Sequence, residues 1–259
     1  MKARPIIQGL AAAGLASASL IACAPSQAPS QSTFAPSASS PSPSLSAVTS
    51  PSPSLSTSPS ATVLTSAVSA TTARGTARLA ITVLSTVEEF DDEIQGEGLT
   101  VLNSGDADLT WNSVVGQTHE IILADELFVQ LEPPSGAWVT VPTEEWTPTA
   151  AAGRPLRGLS DVIGVRLDGV EFLDGVESTR YSGFLNLAGH SDGLGLNSRA
   201  LQLAAASPPA RIAATVWIDS SGLIVKVMRT LVGATDVAAS TVTRLTDFGT
   251  SVTITTPIE

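Results

Sequence analysis

A mainly β domain built on one large antiparallel sheet is predicted, with few helices, and three observations predict it. Beyond residue 74, apolar and polar residues alternate at period two in run after run. Asp-Gly and Ser-Gly pairs punctuate those runs, and such pairs close hairpins because glycine enters the positive-φ conformation without steric cost. Helical periodicity is scarce.

The elements follow in order. Residues 77–83 alternate, with Leu79, Ile81 and Val83 on one face. Ile121 and Leu123 share a face in a second run, and Leu127, Val129 and Leu131 share one in a third. Trp138 and Trp146 flank the hairpin-like Val139-Thr140-Val141-Pro142. Val165-Arg166-Leu167 leads to a turn expected at Asp168-Gly169, and a second turn at Asp174-Gly175 feeds the run 178–187. Ile212, Ala214, Val216 and Ile218 form one face of the next strand. A strong turn signal, Asp219-Ser220-Ser221-Gly222, separates it from Leu223, Val225 and Val227. Val242 to Phe248 forms a further strand, and Val252 with Ile254 closes the domain. Short helices are expected over 154–163, with Pro155 early and Gly164 ending it, and over 197–206, capped by Asn197 and stopped by Pro208-Pro209.

The N-terminal part reads differently. Lys2 and Arg4 form a basic head, followed by a weakly apolar stretch too short to favour a spanning helix, which needs about 20 apolar residues. Small residues then precede Cys23, the only cysteine. A secretory signal peptide over residues 1–22 is expected. Leu20-Ile21-Ala22-Cys23 resembles the lipobox of bacterial lipoproteins, which implies cleavage behind Ala22 and a diacylglyceryl group on the Cys23 sulfur. The expected location is therefore the cell membrane, with the chain lipid-anchored and facing the extracytoplasmic space. An ordinary secretory peptide that happens to contain a cysteine is the plainer alternative. With a single cysteine the domain has no internal disulfide and must fold on its core alone.

Residues 23–73 read as a stalk. No charge occurs between Ala24 and Ala73, and the hexamer Pro41-Ser42-Pro43-Ser44-Leu45-Ser46 recurs from Pro51 to Ser56. Such a segment has too little apolar surface to offset its chain entropy. A passive, extended spacer is expected, with O-glycosylation as an added role. Its last part, residues 61–72, is richer in Val and Leu and suits a short helix leading into the domain over residues 74–259.

Charge and residue inventory narrow the function. The 13 basic residues fall to 11 once Lys2 and Arg4 leave with the signal, against 24 acidic ones. This argues against nucleic acid as a partner. Catalysis is disfavoured too. His119 and His190 are the only histidines, and neighbouring His190-Ser191-Asp192 in the Gly-rich polar loop 189–195 do not make a relay, since a triad is assembled from different elements. Glu88-Glu89-Phe90-Asp91-Asp92-Glu93 lacks the spacing of a calcium loop and reads as a solvated turn. No cofactor or metal is expected. Of the four tryptophans, Trp217 is assigned to the core, while Trp111, Trp138 and Trp146 are left between core and membrane-facing roles.

Three blocks carry a family resemblance: residues 174–183 (Asp-Gly-Val-Glu-Ser-Thr-Arg-Tyr-Ser-Gly), 216–223 (Val-Trp-Ile-Asp-Ser-Ser-Gly-Leu) and 245–254 (Leu-Thr-Asp-Phe-Gly-Thr-Ser-Val-Thr-Ile) with Pro257 beyond. After a lipobox, this order resembles the actinobacterial lipoproteins of the LppX/LprAFG group, which share the fold of LolA and LolB. The resemblance spans residues 75–257 and is most specific in the C-terminal half. It implies a strongly bent antiparallel half-barrel covered by two or three helices. It also implies an apolar cavity for the acyl chains of an envelope lipid or lipoglycan. Lining candidates are Leu79, Ile81, Val83, Leu127, Val129, Leu131, Ile212, Ala214, Val216, Val225 and Val227. A monomer is expected, with an envelope transporter as the candidate partner. The residues alone suit a filled core equally well, which leaves a non-catalytic docking module as the alternative.

Overall fold

The computed structural model describes residues 59–87, 90–114, 116–124, 126–141, 154–194, 206, 210–233 and 237–257. One helix, α1 (Pro59–Thr72), precedes β1 (Thr76–Val87), β2 (Phe90–Val101), β3 (Ala107–Ser113), β4 (Gly116–Leu123), β5 (Glu126–Leu131) and β6 (Trp138–Val141). Then follow β7 (Ile163–Leu173), β8 (Val176–Asn186), β9 (Arg211–Asp219), β10 (Ile224–Val232) and β11 (Val237–Thr246). All pair in one antiparallel sheet, ordered β6-β5-β4-β3-β2-β1-β11-β10-β9-β8-β7. Two meanders are thus joined by β1 against β11, where Leu79 faces Leu245 and Ile81 faces Thr243. The sheet stays open, with β6 and β7 at its edges.

Period-two alternation puts one face of each strand into a common core. Ala77, Leu79, Ile81 and Val83 of β1 join Ala107, Leu109 and Trp111 of β3 and Ile212, Ala214, Val216 and Ile218 of β9. The helix suited to 61–72 forms as α1 and belongs to this core. Leu64, Ala67 and Thr71, spaced three and four apart, are its buried stripe. The folded part therefore includes chain ahead of residue 74.

Several elements differ from the sequence expectation. No run was assigned over 90–113, yet β2 and β3 occupy it, and Asp91, Asp92 and Glu93 belong to β2 rather than to a turn. Gly96 and Gly98 hide the alternation of β2, and packing requires both. A Cβ on Gly96 would overlap the Trp111 ring, and one on Gly98 would overlap the Asp108 carbonyl. Asp168-Gly169 is not a turn: it lies inside β7 at a register shift between Leu167 and Gly169. Asp174-Gly175 is a turn, with both residues at positive φ. The helix expected over 154–163 is a turn followed by a single 3-10 turn, Leu159–Asp161, before β7 begins at Ile163. Residues 251–257 form no strand, so Val252 and Ile254 do not extend the sheet. The helix expected at 197–206 lies outside the described residues, except for Ala206.

Candidate functional site

The inner face of the sheet is the candidate site. Leu79, Ile81, Val83, Leu127, Val129, Ile212, Ala214, Val216 and Val227 come together in one buried cluster. Leu79, Leu127 and Ile212 are 0 % exposed, so no water-sized void reaches them, and these positions form filled core in this structure. Leu131 does not join them: it ends β5 beyond the covered part of the face and is 60 % exposed. Val225 is displaced as well. A bulge between Ile224 and Lys226 shifts the register of β10, so Ile224 takes the buried position opposite Ile218 while Val225 is only half-buried. In β4, pairing with Ala107 and Leu127 puts Ile122 in this cluster, while Ile121 is buried outside it and Leu123 is half-buried.

Two polar ties hold the cover against this face. Thr71 Oγ1 accepts from the Ile224 backbone N–H at 2.9 Å and donates to the Ala67 carbonyl at 2.7 Å, pinning the end of α1 to the start of β10. Arg229, buried on β10, donates through Nη2 to the carbonyls of Pro155 and Arg157 at 2.7 and 2.8 Å. That guanidinium fixes the turn at 154–158 over the sheet. Leu156, Leu159 and Val162 from this stretch enter the core cluster.

A cavity of about 350 Å³ opens where α1, the β2–β3 turn and residues 154–157 meet. Val68, Leu102 and Leu156 line it with Thr72, Thr100, Ser104, Arg154 and Arg157. Its volume lies at the low end of small-molecule pockets, about 300–1,000 Å³. A smaller hollow of about 100 Å³ beside the β7–β8 turn includes Val225, Lys226 and Arg244. The sequence nominated none of the residues around the larger cavity, because its members come from three segments far apart in the chain.

The remaining sequence candidates are spread out. His119 Nε2 lies 2.7 Å from Asp108 Oδ1, and its ring meets Trp138 edge-on at 4.9 Å. His190 Nε2 lies 3.7 Å from Asp161, on a different part of the sheet cover. Among the described residues no group of His, Cys, Asp or Glu is placed to hold a metal ion. Trp217 is buried, as expected: its indole N–H donates to Glu171, and Lys226 Nζ sits 4.3 Å above its ring. Trp111 is buried in the main core cluster. Trp146 and Cys23 lie outside the described residues.

On β7, burial pushes the Asp168 carboxyl up, but hydrogen bonds from Ser182 and Arg166 and the charges of Arg166 and Arg180 outweigh it, so its pKa is lowered. No helix among the described residues is long and apolar enough to cross a membrane.

No protein-family model and no curated protein matches the chain. Among solved structures, the lipoprotein LppX of Mycobacterium tuberculosis aligns with 75 % of this chain and 97 % of its own, at 15 % identity and a TM-score of 0.51. LprF of Mycobacterium bovis aligns with 77 % and 97 %, at 16 % identity and a TM-score of 0.49. A LolA-superfamily protein of Nitrosomonas europaea aligns with 72 % and 91 %, at 11 % identity and a TM-score of 0.33. The chain shares the fold of LppX, in agreement with the fold implied by the resemblance of its C-terminal sequence blocks.

Proposed function

We propose that this chain is an envelope lipoprotein, tethered to the membrane through acylated Cys23, that binds the acyl chains of a lipid or lipoglycan between its sheet and the cover. The observation that carries this reading is an open eleven-stranded sheet with an aliphatic inner face. Among the described residues, one helix and a non-regular segment cover that face, rather than a second sheet. A cover held by a few ties can separate from the sheet and let a chain in. Binding then needs no covalent step, since each Å² of apolar area removed from water contributes about 25 cal/mol. The existing cavity beside α1 is the natural entry point, because it already reaches Val68 and Leu156 at the edge of the core.

The closure of Leu79, Leu127 and Ile212 to water favours a second reading, in which the filled half-barrel is a docking module for another envelope protein. Native mass spectrometry of the full chain, purified gently from a host with a related envelope, separates the two. A bound mass released by solvent and identified as an acylated lipid supports the carrier. A bare chain that also takes up no fluorescent acyl probe refutes it and leaves the docking module. Replacing Cys23 with Ala is expected to move the chain from the membrane to the soluble fraction. Continued membrane retention would refute the anchor.

A further inference from the structure

The inner face of the sheet runs on past its cover to the β7 edge. Val216 and Ile218 of β9 pair with Tyr181 and Thr179 of β8, which pair in turn with Leu167 and Val170 of β7. Residues paired across strands share a face, so Leu167, Val170 and, one pair further on, Phe172 continue the apolar surface that is closed at Val216. At the edge that surface is open: Leu167 and Val170 are 59 % exposed and Phe172 is 71 % exposed. With Ile163 and Val176 they make up half of the large apolar side chains exposed among the described residues, all in one hairpin. Apolar exposure gathered in this way marks a contact surface.

The edge is poorly suited to an added strand. Pairing of β7 with β8 shifts register between Ile163 and Arg166 and again between Leu167 and Gly169, and such irregularities interrupt the ladder that another chain would extend. The charges beside the strip offer no single sign for a protein partner to read. Arg166 Nε donates to Asp168 Oδ1 at 2.9 Å, Arg180 Nη1 to Glu171 Oε2 at 3.2 Å and Arg244 Nη1 to Asp174 Oδ2 at 2.6 Å. Finally, α1 packs against β7, so the chain that leads from Cys23 enters the domain beside this edge.

We propose that the β7 edge is a second membrane contact, in which Leu167, Val170 and Phe172 enter the interface of the lipid bilayer. The inference rests on the tethered-lipoprotein reading above and adds the surface that faces the membrane. Burial of apolar area in the boundary between head groups and acyl chains supplies the attraction. An anchor on the same chain keeps the bilayer at high effective concentration, so a small patch suffices. Glu177, opposite Phe172, is exposed and stays in the head-group water. Docked in this way, the open end of the inner face meets the bilayer directly, and an acyl chain passes between them without crossing water.

The test places one environment-sensitive thiol dye at a time on the full chain, reconstituted in phosphatidylcholine vesicles with or without bromine on the acyl chains. Cys23 is the only native cysteine, and acylation blocks its thiol, so the dye reports the introduced site. At Phe172→Cys the emission is expected to shift to the blue and to be quenched by the brominated lipid. At Val114→Cys, 88 % exposed in the β3–β4 turn, neither change is expected. Leu167→Ser with Val170→Ser removes most of the quenching at position 172, and melting curves report that each variant is folded. Equal quenching at 172 and 114, or quenching at 172 that survives the two serine substitutions, overturns the inference. So does a blue shift that appears without lipid and grows with protein concentration, which would mark a second copy on the strip. Flotation keeps the two levels apart. A chain that floats with the vesicles but is not quenched at 172 defeats the edge contact alone, whereas a chain that does not float defeats the tether reading and the edge contact together.

Discussion

Thr71→Val tests whether α1 is a structural part of the domain or a dispensable extension of the stalk. Valine keeps the shape of threonine but has no acceptor for the Ile224 N–H, which approaches Thr71 Oγ1 at 2.9 Å. Both residues are fully buried, so water cannot replace the lost partner. An unsatisfied buried donor costs about 1–3 kcal/mol. The bond from Thr71 to the Ala67 carbonyl matters less, because that carbonyl lies within the helix and Thr71 is four residues on. For a domain of this size each kcal/mol shifts the melting temperature by about 2–4 °C, so a loss near 2 kcal/mol lowers it by about 4–8 °C. Circular dichroism melting of the full chain measures this. Thr62→Val, the same chemical change at an exposed position of α1, serves as the control and is expected to stay within about 0.5 kcal/mol. If the two variants melt together, the Thr71 tie contributes nothing and the cover is not held as described. Should the tie hold the cover down, Thr71→Val will also take up an acyl probe faster than the parent chain.

Other outcomes follow from the same geometry. Leu79→Ala is expected to cost about 2–5 kcal/mol as a cavity in filled core, whereas Leu131→Ala, at the exposed end of β5, should stay within about 0.5 kcal/mol in denaturant titrations. Equal small losses would mean that the inner face is not packed at Leu79. Gly98→Ala places a Cβ on the Asp108 carbonyl of β3 and should cost about 3 kcal/mol or more, since backbone must move; a chain as stable as the parent would refute the close β2–β3 approach. The Asp168 carboxyl titrates lower in the folded chain than its usual value of about 3.9. Its contribution to stability is thus present above the unfolded value and lost as pH falls through the folded one. Asp168→Asn should be less stable than the parent at neutral pH, with the gap closing below about pH 4; a gap that is constant with pH would remove the carboxylate as its cause.

How far the sequence reaches differs from strand to strand. Alternation alone locates β1, β5 and β9 with their buried faces, because a single register slip would turn Leu79, Leu127 or Ile212 out of the core. It fails at β2, where Gly96 and Gly98 leave no side chain to read and are needed by Trp111 and Asp108 on the neighbouring strand. Alternation also misassigns Val225, because the bulge that turns it away depends on pairing with β9, and no local residue pattern reports that. Asp168-Gly169 carries turn chemistry, yet pairing with β8 carries it through the strand as an irregularity.

By itself, the sequence determined the class of the domain, the alternating faces of several strands and the expectation of a lipidated Cys23, since all three depend on neighbours a few residues apart. Only the tertiary structure decided that α1 is core rather than stalk and that the inner face is closed at Leu79, Leu127 and Ile212. It also decided that Arg154 and Arg157 share a cavity with Val68 and Leu102. Those outcomes depend on contacts between segments separated by up to a hundred residues or more, such as Thr71 with Ile224, which local periodicity does not encode.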